Sequence, residues 1–304
     1  MDRFNAVVAF IRVVDAGSFT RASDSLELPR NSVTKLVQFL ERELGVQLLN
    51  RTTRRVSLTS EGVAYYQRMS RVLDEWRDAE ADLAVKHARP RGRIRVDMAS
   101  AMATQIVIPA LPDFYARYPD LQLDIGVSDR PSDLLGDQID CLVRGGKVTD
   151  PGLVARHLGD LPLVLCASKS YLARHGVPAH PSDLERDHVV VRYFFAGTGR
   201  TQPITMRAAG EEITIHGHYQ IAVNDANALL AAGVAGLGIV QTPAAIAKAH
   251  IDDGRLTTVL DHWSLEPVPI SIVFAPTRHL SARVRLFVDW MVELFGDASQ
   301  MKPP

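Results

Sequence analysis

The residues best suited to specific chemistry lie between positions 18 and 62. Arg30, Asn31, Ser32, Thr34, Lys35 and Gln38 crowd one short segment, and Arg51, Thr53, Arg54 and Arg55 follow in a second. Such side chains can read base edges: Arg and Lys favour guanine, Asn and Gln favour adenine, and Thr meets a base or the thymine methyl. An arginine-rich turn suits phosphates or the minor groove. The chemistry expected is contact with double-stranded DNA.

These groups need rigid elements to present them. Phe4, Val7, Val8, Phe10, Ile11 and Val14 recur at helical spacing, which predicts a helix over 2–15. Gly17 suits its end, and Ser18 suits the cap of a second helix over about 18–26 that buries Phe19, Ala22 and Leu26. Pro29 opens a third helix to about Glu43, with Val33, Leu36, Val37, Leu40 and Leu44 on one side and the polar set on the other. Residues 51–59, RTTRRVSLT, alternate like a strand with Val56 and Leu58 inward, and Thr59 or Ser60 can cap the next helix. The pattern is that of a winged helix-turn-helix over 1–60, with Ser18 beside the reading helix.

The run FIRVVDAGSFTRASDSLELPRNSVTKLVQFLERELGVQLLNRTTRRVSLTSEG resembles the head of the LysR-type transcriptional regulators. The matching marks are Phe10, Gly17-Ser18-Phe19, Ala22, Leu26, Val33-Thr34, Leu40-Glu41, Leu44-Gly45, Leu48, Arg51 to Arg54, Leu58-Thr59 and Gly62. Ser23, Arg30, Thr34 and Leu49 stand where alanine, glutamine, serine and phenylalanine are usual.

From Ser60 to about His87 one long helix is expected, with Tyr66, Met69, Leu73, Trp76 and Leu83 on its apolar stripe. Little of this chain is expected to cover that stripe, so it reads as a dimerisation helix, and the resemblance implies the same. Residues 61–91 thus form a linker, closed by the hinge HARPRGR at 87–93.

From Ile94 onward strands and helices alternate, which predicts an α/β body over 92–304 with a mostly parallel sheet. A short helix is expected in PSDLLGDQ. The resemblance implies a two-lobed, periplasmic-binding-protein-like effector domain. Its first lobe would span about 92–162 and 268–304, and its second about 163–267. Open parallel sheets bind ligands at the carboxyl ends of their strands. That rule selects Ser100, Met102 and Thr104 before a helix, Arg144 and Gly145 after a strand, Phe194 and Phe195 as apolar walls, and Asn224 and Thr242. Hydroxyls and helix N–H groups there suit a small anionic effector.

Charge agrees in direction. Residues 1–60 carry nine Lys and Arg against six Asp and Glu, whereas the whole chain has a formal charge of −1. A basic head on an acidic body fits a polyanion partner. The N-terminus lacks a secretory signal and no apolar run approaches a membrane span, so a cytoplasmic protein without membrane contact is expected. Cys141 and Cys166 sit in apolar runs and read as buried core thiols. His216 and His218 have no third ligand, no catalytic constellation is visible, and neither a metal nor a cofactor is expected.

The resulting expectation is a sequence-specific transcription regulator, a homodimer or homotetramer. Two rivals stay open: a small-molecule-binding or converting α/β domain with an incidental helical head, and a regulator that needs no ligand.

Overall fold

The computed structural model describes residues 2–52, 55–83, 90–130, 134, 139–148, 150–276 and 280–299, in two compact units, 1–88 and 89–304. In the first unit, α1 (Arg3–Ala16) starts at Asp2, whose carboxylate accepts the Phe4 N–H at 3.1 Å. It ends at Gly17 in the left-handed conformation. Ser18 caps α2 (Phe19–Leu26). α3 (Arg30–Leu44) follows Pro29, whose ring presets the entry, and stops at Gly45 at φ 70°, where a side chain would be strained. Ala6, Val7, Phe10, Ile11 and Val13 of α1 meet Ala22, Val33, Val37 and Leu40 in one buried core. Ser23 is accommodated there because its hydroxyl donates to the Thr20 carbonyl at 2.7 Å.

The hairpin is antiparallel. In β1 (Leu49–Thr52) and β2 (Arg55–Leu58), Leu49 faces Leu58 and Thr52 faces Arg55. Two contacts fix it to the helices. Buried Glu41 of α3 accepts the N–H groups of Leu48 and Leu49 on one carboxylate oxygen, at 3.0 and 3.2 Å. At Gly62 a Cβ would stand 2.0 Å from the Leu48 carbonyl oxygen, so only glycine lets α4 (Ser60–Leu83) start this close. Thr59 is the cap, its hydroxyl accepting the Gly62 N–H at 2.9 Å and donating to the Gln47 carbonyl at 2.7 Å.

α4 corrects the expectation that its stripe finds little to pack on. Leu73 is buried in the head core, Tyr66 and Met69 pack against that core, and the Tyr66 hydroxyl hydrogen-bonds Asp15. The helix lies in the same compact unit as the head. Trp76 differs, being 53% exposed with its ring 5.1 Å from that of Phe4. The side chain of Leu83 lies outside the described residues.

In the second unit, β3 (Gly92–Met98) leads into a continuous helical stretch: α5 (Ser100–Met102), a π-helical turn at Ala103–Val107, and α6 (Ile108–Arg117). β4 (Leu121–Val127), β5 (Cys141–Gly145) and β6 (Val154–Leu161) complete the first passage. Of the PSDLLGDQ segment only Leu134 is described, and the helix expected there lies outside the described residues. Past Pro162 come β7 (Leu163–Ala167), α7 (Lys169–His175), α8 (Asp183–Arg186) and β8 (Arg192–Tyr193). Then follow β9 (Ile204–Ala208), β10 (Glu211–Ile215), β11 (Ala222–Val223) and α9 (Ala226–Val234). β12 (Val240–Pro243), α10 (Ala244–Asp252), β13 (Thr257–Val259) and β14 (Ser264–Leu265) close the second lobe. β15 (Val268–Phe274) returns to the first sheet and α11 (Ala282–Ser299) ends the fold.

The five-stranded sheet has the order β4-β3-β5-β15-β6. Four of its strands point one way and one the other: β3 runs parallel to β4 and β5, and β15 is antiparallel to both β5 and β6. β15 enters from the other lobe without a crossover helix, so it can run against its neighbours. In the second lobe β12 and β13 likewise flank β7 antiparallel. One apolar core crosses the lobes, joining Ile94, Val96, Phe114 and Phe287 to Val164, Leu229 and Val240. Cys141 and Cys166 lie within it, and burial pushes the Cys166 thiol up to about 12, so neither is a poised nucleophile.

Replacing Glu41 by Ala leaves two backbone donors without this acceptor, at about 1–3 kcal/mol each. Urea denaturation of Glu41→Ala, read through hydrogen exchange of the α3 amides, should show a loss of about 2–6 kcal/mol. Glu41→Gln, which keeps one acceptor oxygen, should lose less.

Candidate DNA-reading face and inter-lobe site

α3 separates its two sides. Val33, Val37 and Leu40 are buried, Arg30, Asn31 and Lys35 are exposed, and Ser32, Thr34 and Gln38 are half-buried. The Thr34 hydroxyl donates to the Arg30 carbonyl at 3.0 Å. Its hydrogen is thus spent within the helix, and what it offers outward is a lone pair and a methyl group. No side chain caps the start of α3. Thr53 and Arg54 lie outside the described residues, as do the side chains of Arg51 and Arg55.

In the second unit the carboxyl ends of β3 and β4 lie side by side, and a site forms where the lobes meet. Ser100 opens the helical stretch after β3 and is buried. Its N–H donates to Asp129 at 2.7 Å, and its hydroxyl donates to Asp225 at 2.6 Å. Asp129 also accepts the Ala226 N–H at 2.8 Å, at the first turn of α9. Asp225 caps that helix by accepting the Ala228 N–H at 2.8 Å. The Thr104 hydroxyl lies 3.1 Å from the Asn227 side-chain oxygen. Three contacts therefore cross between the lobes, two between side chains and one from a backbone N–H to a side chain.

Arg144 lies 3.4 Å from Asp97 and its guanidinium donates to the Val143 carbonyl at 3.2 Å. Tyr193 is pushed up to about 12, first by burial and then by Asp129 and Asp225, with Arg144 opposing. Its ring meets that of Phe195 edge-on at 5.6 Å. Tyr193, Asp129, Asp225 and Arg144 thus share one electrostatic neighbourhood.

Of the effector candidates, Ser100 and Thr104 are brought together and Arg144 stands in the same field. The other candidates have different surroundings. Met102 is a core residue, because the helix turns its side chain into the apolar layer. Gly145 is tightly packed, since a Cβ would sit 3.0 Å from the Val268 side chain. Asp225, not Asn224, caps α9. Thr242 is buried on β12 and its hydroxyl has no hydrogen-bond partner among the described residues. Phe194 is half-buried with its N–H on the Val223 carbonyl, and Phe195 is 47% exposed. Sequence reasoning missed Asp129, Tyr193 and Asn227. A lone Asp after a strand reads as a turn residue, and only the fold brings it to Ala226. Among the described residues no three His, Cys, Asp or Glu side chains are grouped to hold a metal ion, and no helix is long and apolar enough to cross a membrane.

A helix-turn-helix with a hairpin wing, carried in one chain with a two-lobed α/β domain, defines a DNA-binding regulator. Residues 4–63 match the bacterial regulatory helix-turn-helix protein, lysR family, and residues 87–296 match the LysR substrate binding domain. The chain is 40% identical over 303 residues to an HTH-type transcriptional repressor of Pseudomonas aeruginosa, covering 99% of this chain and 95% of that protein. It is 30% identical over 301 residues to the HTH-type transcriptional activator AaeR of Escherichia coli, covering 99% and 96%. Among solved structures, the LysR-type regulator CrgA of Neisseria meningitidis superposes with a TM-score of 0.61 at 32% identity, covering 96% of this chain and 98% of that one. The full-length virulence activator AphB of Vibrio cholerae gives 0.57 at 27% identity, covering 96% and 99%. The chain belongs to the LysR family of transcriptional regulators. It is a DNA-binding regulator with an effector-binding domain, and not an enzyme.

Proposed function

We propose that α3 enters the major groove and reads sequence through Arg30, Asn31, Ser32, Thr34, Lys35 and Gln38, with Ser18 on the neighbouring backbone. The wing residues Arg51, Thr53, Arg54 and Arg55 grip phosphates or the minor groove. The observation that carries this reading is the clean division of α3, with its apolar face in the head core and its polar N-terminal face open. Thr34, with its hydroxyl hydrogen already used, suits a thymine methyl or a base amino group. DNA as the target puts the site of action in the cytoplasm.

The inter-lobe site takes a small anionic effector. Support comes from the Ser100 and Ala226 N–H groups, which converge from two lobes on a single carboxylate. The pair is a hydrogen-bonding shape that a carboxylate fits, whichever molecule supplies it. Effector binding at that place shifts the balance between assemblies on DNA.

The head also offers a surface for a second copy. A groove of about 440 Å³ is lined by Arg3, Phe4, Val7, Tyr65, Met69, Val72 and Leu73. Phe4, Val72 and Trp76 are each more than 40% exposed along its edge of the unit. Exposed apolar groups so grouped mark an interaction site, and a regulator that reads twofold-related half-sites needs two heads. We place a homodimer contact there, with a homotetramer built from such dimers as the larger form.

Three outcomes are expected. Arg30→Ala and Thr34→Ala should weaken binding to the true operator by about 1–3 kcal/mol and hardly affect scrambled DNA, whereas Arg54→Ala should weaken both and reduce the salt slope by about one. Equal losses on both DNAs for Arg30→Ala and Thr34→Ala would reduce them to backbone contacts. In a thermal-shift screen of the full chain against carboxylates, amino acids and aromatic acids, at least one acid should raise Tm, and Ser100→Pro, which removes the N–H at a first helical position that tolerates proline, should abolish that shift. A screen with no shift would favour the ligand-independent regulator. Finally, Trp76→Glu should lower the sedimenting mass of the free protein; an unchanged mass would remove α4 from the contact.

A further inference from the structure

Asp129 belongs to no motif. It follows β4, where the Ser128 N–H donates to the Met98 carbonyl at 3.0 Å, and its side chain then reaches two helix starts at once. One oxygen accepts the Ser100 N–H at 2.7 Å and the other the Ala226 N–H at 2.8 Å. The Ser100 hydroxyl stands 3.4 Å from Asp129 but 2.6 Å from Asp225. A hydroxyl has one hydrogen to give, and the shorter contact takes it. Asp129 is therefore held chiefly by backbone N–H groups, one from each lobe.

This placement has a chemical consequence. The two amides form a carboxylate seat, and the chain's own carboxylate fills it. A further anion would meet Asp129, Asp225 and Asp97 with Arg144 as the nearby cation, and Arg144 is already 3.4 Å from Asp97. Addition is disfavoured by like charge, and exchange is not. We infer that Asp129 is a tethered ligand that latches the two lobes and sets the specificity of the cleft: an anionic effector binds by displacing its carboxylate from the Ser100 and Ala226 amides. The displacement half rests on the reading of the cleft as an anion site; the latch half rests on the hydrogen bonds alone. A tethered group competes at an effective concentration on the order of millimolar or above. A bare carboxylate then binds poorly, and a successful effector needs contacts that Asp129 lacks. The rings of Tyr193 and Phe195 beside the site make an aromatic acid the suitable class.

The test uses the full chain, wild type and Asp129→Asn, with benzoate as probe. Hydrogen exchange resolved to single amides reports the latch, and calorimetric titration reports displacement. The Ala226 amide is expected to be protected in the wild type and to exchange at least about 10-fold faster in the variant, since an unprotonated carboxylate is a stronger acceptor than a carboxamide. Benzoate is expected to bind the variant at least about 10-fold more tightly, because the competitor is weakened. Equal exchange in both proteins overturns the latch, whatever the cleft binds. Faster exchange with equal benzoate affinity overturns displacement. Faster exchange with benzoate bound by neither protein supports the latch and overturns the anion reading of the cleft, so the two failures are told apart. Should Asp129→Asn not fold, the wild type alone decides: an Ala226 amide exchanging at the rate of an open loop overturns the latch.

Discussion

A backbone N–H taken out of water must find an acceptor, and that constraint shapes both units of this chain. At the base of the wing Glu41 of α3 reaches across to accept the N–H groups of both Leu48 and Leu49. Between the lobes the N–H groups of Ser100 and Ala226 sit at helix starts, where no earlier turn exists to accept them, and Asp129 takes both. Glu41 ties a helix to the hairpin that follows it, whereas Asp129 joins segments distant in sequence. The charge is favourable because N–H groups surround it, and the geometry is specific because each oxygen lone pair has a direction. The rest of the head follows from the first contact, since it sets where the wing leaves α3.

Where sequence and structure agree, the signal is local. The spacing of Val33, Val37 and Leu40 fixes which side of α3 faces inward, and Gly17 and Gly45 mark helix ends because the left-handed conformation favours glycine. Those relations span a few residues, and periodicity records them. Periodicity says which face of α4 is apolar but not what covers it, and Tyr66, Met69 and Leu73 turn out to be covered by the head itself. Similarly, the apolar run of β15 announces a strand without announcing its direction, and the strand enters antiparallel. The inter-lobe site was half legible. The rule about strand ends led to Ser100, Thr104 and Arg144, but Asp129 gains its role only from Ala226, which lies 97 residues away. Met102 shows the opposite failure, since adjacency to Ser100 does not place a side chain on the same face of a helix.

The two carboxylates differ in what surrounds them, and that difference separates a structural role from a switchable one. Glu41 is buried within the head, 7% exposed, with its acceptor oxygen committed to a rigid hairpin base. Removing it takes away the acceptor of two backbone N–H groups at once. Asp129 is only half-buried and lies at the open end of a sheet, where solvent and solutes arrive. Its donors are backbone groups with no preference for the molecule that carries the carboxylate.

A ligand shifts a conformational equilibrium only by its differential affinity for the two states. Exchange of Asp129 for an external carboxylate leaves the count of N–H bonds at Ser100 and Ala226 unchanged, so those bonds alone cannot drive a change. What differs is the tether. Asp129 is held covalently in the first lobe, just past β4, while it hydrogen-bonds Ala226 in the second, whereas a free acid connects the lobes only through its own contacts. The state with the latch made is restrained across the cleft, and the exchanged state has whatever restraint the effector's remaining atoms supply. Under the exchange we infer, specificity lies in those atoms, in how they meet Tyr193 and Phe195, and the carboxylate serves as the common key to entry.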